Sequence, residues 1–182
     1  MLAKQKMTVD EFLVWAEDRS GRYELVDGEV FVMSPQQLGH AIVKLRVVNA
    51  LAAAISRAGL NCHALPDGIT VRINNSTAFE PDALVHCGEL SNLNALEVSN
   101  PIIVVEVLSP SSMRRDLAEK VAGYFLVPSI LHYLIVDAEG AVIIHHSRSA
   151  EGIFPPRIIH EGEIKLNPPG LVLNVAELML PE

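Results

Sequence analysis

Pro81-Asp82-Ala83-Leu84-Val85-His86-Cys87 and Pro101-Ile102-Ile103-Val104-Val105-Glu106-Val107-Leu108 are the two stretches on which the reading of this chain turns. The second is a run of Ile, Val and Leu interrupted by a single acid, Glu106. Short apolar runs of this kind, bounded by turn residues, read as buried strands. The first opens on a proline, which a strand tolerates at its first residue, and carries Asp82 at its start. The two acids lie 106 minus 82, or 24, residues apart, with the polar stretch from Gly88 to Pro101 between them. Neighbouring strands of one sheet would bring the two carboxylates close together. An ionised Glu inside an apolar run is costly unless its charge is compensated. A divalent cation compensates it. Mg2+ and Mn2+ take hard oxygen ligands and keep several waters, so two acids from adjacent strands suffice.

Downstream, Ser109-Pro110-Ser111-Ser112 ends the strand and can cap a helix running roughly from Arg114 to Leu126, which Pro128 stops. Asp116, Lys120 and Tyr124 fall at i, i+4 and i+8 on one face of it, beside a buried stripe of Leu117, Val121 and Phe125. Lys120 is thereby placed to point along the sheet toward Glu106 rather than into bulk water. A lysine there can hold a water in line with a phosphate or stabilise developing charge. The plainer alternatives are a solvated Lys120–Asp116 pair, a first-turn Asp116 favouring the helix dipole, and a core Tyr124 with a hydroxyl partner. Leu131 to Asp137 reads as a further buried strand. The strand–helix–strand unit from Ile102 to Val136 should cross over right-handed. Ala138-Glu139-Gly140 then turns the chain into a strand from Ala141 to His146.

Upstream, Thr8-Val9-Asp10-Glu11 has the form of a capping box, and the short helix after it should bury Phe12, Leu13 and Ala16. Tyr23 to Val32 reads as a hairpin, with Asp27-Gly28 supplying the positive φ angles of a primed turn. Ser34-Pro35-Gln36-Gln37 has the order of a second helix start. Leu38, Ala41, Ile42, Leu45, Val48, Ala52 and Ile55 then recur at helical spacing as far as Gly59. His40, in the first turn, is either a surface histidine or one that faces a cleft and touches phosphate. Leu60 to Ile73 should be extended, broken at Pro66-Asp67-Gly68. Beyond Arg148, proline and glycine separate short strands at Arg157 to His160, Ile164 to Leu166 and Leu171 to Leu173, before a terminal helical turn at Val175 to Met179.

A chain of 182 residues with 49% hydrophobic content suits one α/β domain: an N-terminal helix and hairpin (8–33), a core (34–147) and a C-terminal extension (148–182). The net charge of −8 and pI near 5.3 count against binding nucleic acid by bulk charge, but not against reaching phosphate through bound cations. Arg114, Arg115, Lys44, Arg46 and Arg57 could form a local basic strip. Two cysteines, Cys62 and Cys87, are fewer than a small secreted scaffold uses. With no apolar leader and no continuous apolar run of ~18 residues, a reducing cytoplasm without membrane attachment is expected. Cys62-His63 and His86-Cys87 lack zinc-ligand spacing, and adjacent strand residues face opposite ways. No Walker, GxSxG or GxGxxG motif is present.

Pro81-Asp82, then an acid in a hydrophobic strand, then a lysine, resembles the PD-(D/E)XK nuclease superfamily. The Uma-two family of restriction-endonuclease-like proteins is closer still. The matching pieces are Tyr23-Glu24-Leu25-Val26-Asp27-Gly28-Glu29, Met33-Ser34-Pro35, His40, Pro81-Asp82, Val105-Glu106-Val107-Leu108-Ser109-Pro110-Ser111, then Asp116, Lys120 and Tyr124, then Tyr133-Leu134-Ile135-Val136-Asp137. They run in order from about Thr8 to Asp137. One departure stands out: Leu108 occupies the place where the superfamily has its lysine, so Lys120 on the next helix is the candidate.

The resemblance implies a mixed sheet flanked by helices, with a restriction-endonuclease-like core. It implies divalent-metal-dependent hydrolysis of DNA phosphodiesters, with Asp82 and Glu106 on Mg2+ or Mn2+. It raises Glu24, otherwise a plain hairpin acid, to a possible third carboxylate. A homodimer would let two sites address two strands. The rival reading is a binding or regulatory protein that keeps the fold without chemistry, which a Lys120 splayed away from the acids would favour. A narrow closed pocket would favour a hydrolase of small phosphate substrates.

Overall fold

A computed structural model of the chain describes residues 6–108 and 114–179, with the side chains of residues 114–116 outside the description. The local signals at the N-terminus work as the sequence predicts. Thr8 caps α1 (Val9–Glu17): its hydroxyl accepts from the Glu11 N–H at 3.3 Å, and Glu11 Oε2 accepts from the Thr8 N–H at 2.8 Å. β1 (Tyr23–Val26) and β2 (Glu29–Val32) form the hairpin, with Asp27 at φ 49° and Gly28 at φ 82°. These positive angles make the turn twist with the strands.

α2 (Leu38–Ala58) ends at Gly59, whose φ of 63° forms the left-handed cap. Two features of this helix depart from the sequence reading. It does not begin at Ser34. Gln37 is its N-cap, without a side-chain bond, and 34–37 runs instead along a cleft. There the Gln36 amide, with its oxygen turned toward Lys44, accepts from Lys44 Nζ at 2.7 Å and from Arg22. The buried face is also a different one. Val43, Lys44, Val47, Ala50, Leu51, Ala54 and Ile55 are inside, while Leu38, Ala41, Ile42, Leu45 and Ala52 face solvent. α2 is apolar nearly all round, so periodicity alone leaves its rotation open. By composition it is long enough to cross a membrane, yet its inner face belongs to the main core.

β3 (Cys62–Pro66), β4 (Val71–Asn74), β5 (Thr77–Phe79), β6 (Ala83–Cys87), β7 (Pro101–Val107), α3 (Arg114–Tyr124), β8 (His132–Asp137) and β9 (Val142–Ser149) follow. β10 (Gly152–Ile153) and β11 (Arg157–Ile159) both pair with β9, and β12 (Glu163–Leu166), β13 (Leu171–Asn174) and α4 (Val175–Leu178) complete the described chain. The capping expected of Ser109 to Ser112 lies outside the described residues. A small sheet has the order β2-β1-β5-β4, and a large one the order β10-β9-β8-β7-β6-β3. β7 and β8 are parallel and the other ladders of the large sheet are antiparallel, so the sheet is mixed and flanked by helices. Side-chain alternation along β7 sends Ile103, Val105 and Val107 into the core beneath α2, and Val104 into the core beneath α3. The extension packs on the main body: Ile164, Leu166, Leu171, Leu173, Val175 and Leu178 join the α2 core.

Cys62 and Cys87 stand directly opposite each other on β3 and β6 and are joined by a disulfide, where the sequence reading expects thiols. At the N-terminal end of β8, His132 is buried between His145 and the Pro168 carbonyl. His132 Nε2 lies 2.8 Å from that carbonyl and His132 Nδ1 lies 3.0 Å from His145 Nε2. A carbonyl only accepts, so His132 carries its proton on Nε2. In the neutral pair, His145 Nε2–H therefore donates to His132 Nδ1.

Candidate active site

The chain leaves the small sheet for the large one over Glu80-Pro81-Asp82, between β5 and β6. Asp82 is fastened there by backbone. Its N–H donates to the Val105 carbonyl at 3.0 Å, and its Oδ2 accepts from the Val107 N–H at 2.8 Å. These two bonds bracket Glu106 on the neighbouring strand. Alternation turns Glu106 toward α3, where Tyr124 O–H donates to Glu106 Oε1 at 2.6 Å and Lys120 Nζ donates to the same oxygen at 2.9 Å. Lys120 also reaches Glu24 Oε1 on β1 at 2.8 Å, and that oxygen accepts from the Glu80 N–H at 3.0 Å. Gly123 permits this approach: a Cβ there would meet the Phe79 ring at 2.5 Å, so only glycine lets this turn of α3 seat against β5.

A second network grips Asp82 from the other side. Lys44, buried on α2, places Nζ 2.8 Å from Asp82 Oδ1 and 2.5 Å from Asp67. Arg22 binds Glu80 at 2.5 Å and Asp67 at 2.9 Å, with Asp82 at 3.9 Å. Within these linked networks the carboxylates of Glu24, Asp67, Glu80, Asp82 and Glu106 face the cations of Arg22, Lys44 and Lys120. Among the described side chains, five negative against three positive charges leaves a formal −2.

That excess is felt at Glu106. Burial raises its carboxyl to about 7; Asp82 and Glu24 add to the rise, and Lys120 and the Tyr124 hydroxyl oppose it. Burial works against the charge on Lys120, but Glu106 and Glu24 outweigh it and hold the ammonium above its ordinary value. Lys120 is thus a donor and a fixed positive charge. Burial pushes the Tyr124 hydroxyl well up, and the nearby Glu106 and Glu24 charges push it further, so it stays protonated. Burial also opposes ionisation of Asp67, yet Lys44 and Arg22 leave it below the usual carboxylate range.

Arg22, Glu24, His40, Asp82, Glu106 and Lys120 line one cleft of about 600 Å3. His40 is not a surface residue. Its Nε2–H donates to the Val107 carbonyl at 2.8 Å and stands 3.7 Å from Asp82 Oδ2. The side chains of Asp116 and Arg114 lie outside the described residues. The basic strip expected with Lys44 does not form along α2: Arg46 donates to the Ala176 carbonyl at 3.1 Å and Arg57 to the Val172 carbonyl at 3.4 Å. Both bind the C-terminal segment, away from the cleft.

Among the described residues no group of three or more His, Cys, Asp or Glu side chains is arranged to hold a metal ion. The oxygens present suit a hard dication bound by two carboxylates with water completing the shell, and a charge of +2 would neutralise the network. Arg22, Asp67 and Glu80 escape sequence reading because they meet only through the fold. Lys44, assigned to a basic strip by the sequence reading, carried one signal that it is buried, a lysine in an apolar helix, but none that its partner is Asp82.

A family model, Uma2, described as "Putative restriction endonuclease", matches residues 9–177. The chain belongs to the Uma2 family. Two proteins of Synechocystis sp. (strain ATCC 27184 / PCC 6803 / Kazusa) are similar to this Uma2 chain. "Uncharacterized protein slr1290" is 25% identical over 81% of this chain and 77% of its own length. "Uncharacterized protein sll1609" is 23% identical over 72% and 75%. The crystal structure of a "putative nuclease belonging to DUF820" from Anabaena variabilis ATCC 29413 superposes with a TM-score of 0.74. It covers 94% of this chain and 97% of that one at 13% identity, which establishes the shared fold.

Proposed function

We propose that this Uma2 protein is a divalent-metal-dependent endonuclease that hydrolyses DNA phosphodiester bonds. The observation that carries the reading is the convergence of Glu106 and Glu24 on Lys120, which lies within hydrogen-bond distance of both, beside Asp82 in one cleft. Lys120 points in rather than out, which disfavours a scaffold that has lost its chemistry.

Asp82 and Glu106 hold the cation, Mg2+ or Mn2+. When bound, such an ion supplies charge to a phosphate oxygen and makes a water more acidic. The remaining work falls to the protein. Lys120 stays an ammonium and orients the attacking water or a phosphate oxygen. Glu24 holds the second side of Lys120. Tyr124 fixes the rotamer of Glu106 through its O–H. Family membership supports DNA as the substrate, and a homodimer would present two clefts to two strands.

The test is cleavage of supercoiled plasmid with Mg2+ or Mn2+, beside Asp82→Ala and Glu106→Ala. Nicking that needs metal and is lost in both variants is the expected result. Equal inertness of all three proteins, with no metal binding by calorimetry, would sink the reading and favour a binding module on a nuclease scaffold.

A further inference from the structure

The cleft has a mixed lining: charged side chains, Arg22, Glu24, Asp82, Glu106, Glu119 and Lys120, and apolar ones, Phe31 among them. In the β1–β2 register Phe31 stands directly opposite Glu24. Cross-strand partners share a face of the sheet, with Cβ atoms about 5 Å apart. Glu24 touches Lys120, and Lys120 touches Glu106. An aromatic ring therefore lies one side chain away from the proposed reacting centre.

That ring is not core. Phe31 is 52% exposed and Val32 74%. Neither joins a hydrophobic cluster, and no ring contact among the described residues involves Phe31. β2 is the outer strand of its sheet, so packing does not demand a large apolar residue there.

The electrostatics point the same way. Duplex DNA is held mainly through many phosphate contacts from Lys and Arg. Among the described side chains, Arg22 and Lys120 in this cleft and the buried Lys44 next to Asp82 are each committed to carboxylates, and the chain carries −8 overall. An exposed aromatic beside the two carboxylates proposed to hold the cation suits a different ligand shape: a phosphodiester at the acids and a bare base face on the ring. Every base has a π-face, so stacking captures single strands without sequence readout. A paired base cannot offer that face, because its neighbours in the stack occupy it; it must first be extruded, at a cost. The cleft of about 600 Å3 is of the size that holds one or two nucleotides or another small ligand.

We infer that the preferred substrate is DNA with unpaired nucleotides at the scissile phosphate, and that Phe31 stacks on the adjacent unpaired base. This inference rests on the nuclease reading above and narrows its substrate class.

The experiment uses one sequence in three forms: single strand, blunt duplex, and duplex with a splayed single-stranded arm. Cleavage is measured with Mn2+. Binding is measured by fluorescence anisotropy with Ca2+ for wild type, Phe31→Ala and Phe31→Trp. Expected are cleavage of the single strand and of the arm over the blunt duplex, and binding of the single strand weakened roughly tenfold or more in Phe31→Ala. Phe31→Trp should retain binding and show indole quenching on the single strand. Equal cutting and binding of all three forms, or binding indifferent to Phe31→Ala, overturns this inference while leaving the nuclease reading intact. A Phe31→Ala change that alters the sedimentation of the free protein without weakening DNA binding overturns it in favour of a contact between copies. No metal-dependent cleavage of any form overturns the nuclease reading, and this inference with it.

Discussion

Two buried polar clusters sit at opposite ends of the parallel pair β7–β8. Glu106 lies near the C-terminal end of β7, and His132 at the N-terminal end of β8, three registers away, opposite Ile103. Both are surrounded by Val, Ile and aromatic side chains, yet they solve burial differently. The histidine pair is neutral. Its protons are settled by one carbonyl, and burial depresses His145 to about 4, with His132 and Arg157 adding to the drop. The acid cluster keeps its charges, and they do not balance. Burial raises Glu106 to about 7 despite a lysine and a tyrosine hydroxyl. A buried polar group whose partners are complete is explained by the fold. One that retains excess charge after its partners are counted points to something the chain alone does not supply.

The comparison breaks first at Lys120. Lys120→Ala should lower metal-dependent cleavage by about 10²–10³-fold, the scale of one lost preorganised donor, measured as initial nicking rate at saturating metal. A loss smaller than about threefold would place Lys120 in a merely structural ion pair.

The next effect is on stability, and the two clusters predict opposite slopes. For Glu106 the folded carboxyl lies above its unfolded value, so its favourable contribution is present below about pH 4.5 and is lost as pH rises through about 7. In metal-free protein at pH 8, Glu106→Gln should therefore raise stability by about 1–3 kcal/mol, read from urea unfolding. Added Mg2+ should narrow that difference, because the ion stabilises only the protein with the carboxylate. Failure of Glu106→Gln to stabilise would show that the cluster is already balanced.

For His145 the folded value lies below the unfolded one. Its contribution is present above about pH 6.5 and is lost as pH falls through about 4. Wild type should lose about 1–2 kcal/mol from this source across that window, and His145→Gln should remove the dependence. The two variants separate slopes that overlap in the parent. Smallest of all is the effect of His132→Gln on chemistry: nicking should be unchanged, while thermal unfolding moves down because the Pro168 carbonyl loses its donor. A fall in nicking there would mean that the clusters are coupled through β8.

Much of this was legible in the residues. The capping box at Thr8, the Asp27-Gly28 turn and the Gly59 cap act within about four residues of themselves, and each appears as read. Asp82 and Glu106 were legible because each is chemically odd where it stands. The rotation of α2 was not. A helix with apolar residues on every side offers several stripes of equal merit, and the exposed one, Leu38 to Leu45, looked as good as the buried one. The Ser34 start failed for a related reason: an N-cap pattern is also a good extended segment when a polar network waits for Gln36.

By itself, the sequence determined the central strands, the Asp27-Gly28 turn, the α1 start and the α2 end, and the two acids that had to be compensated, since those rest on spacing and on the cost of a charge among apolar neighbours. Only the tertiary structure decided who compensates them. Glu24 meets Lys120 across 96 residues and Arg22 meets Glu80 across 58. Lys44 reaches Asp82 because of the way α2 is turned, and Cys62 meets Cys87 because of the register of β3 on β6. Those pairings depend on sheet order and helix rotation, which arise from packing the whole core at once and leave no trace in any short stretch of the chain.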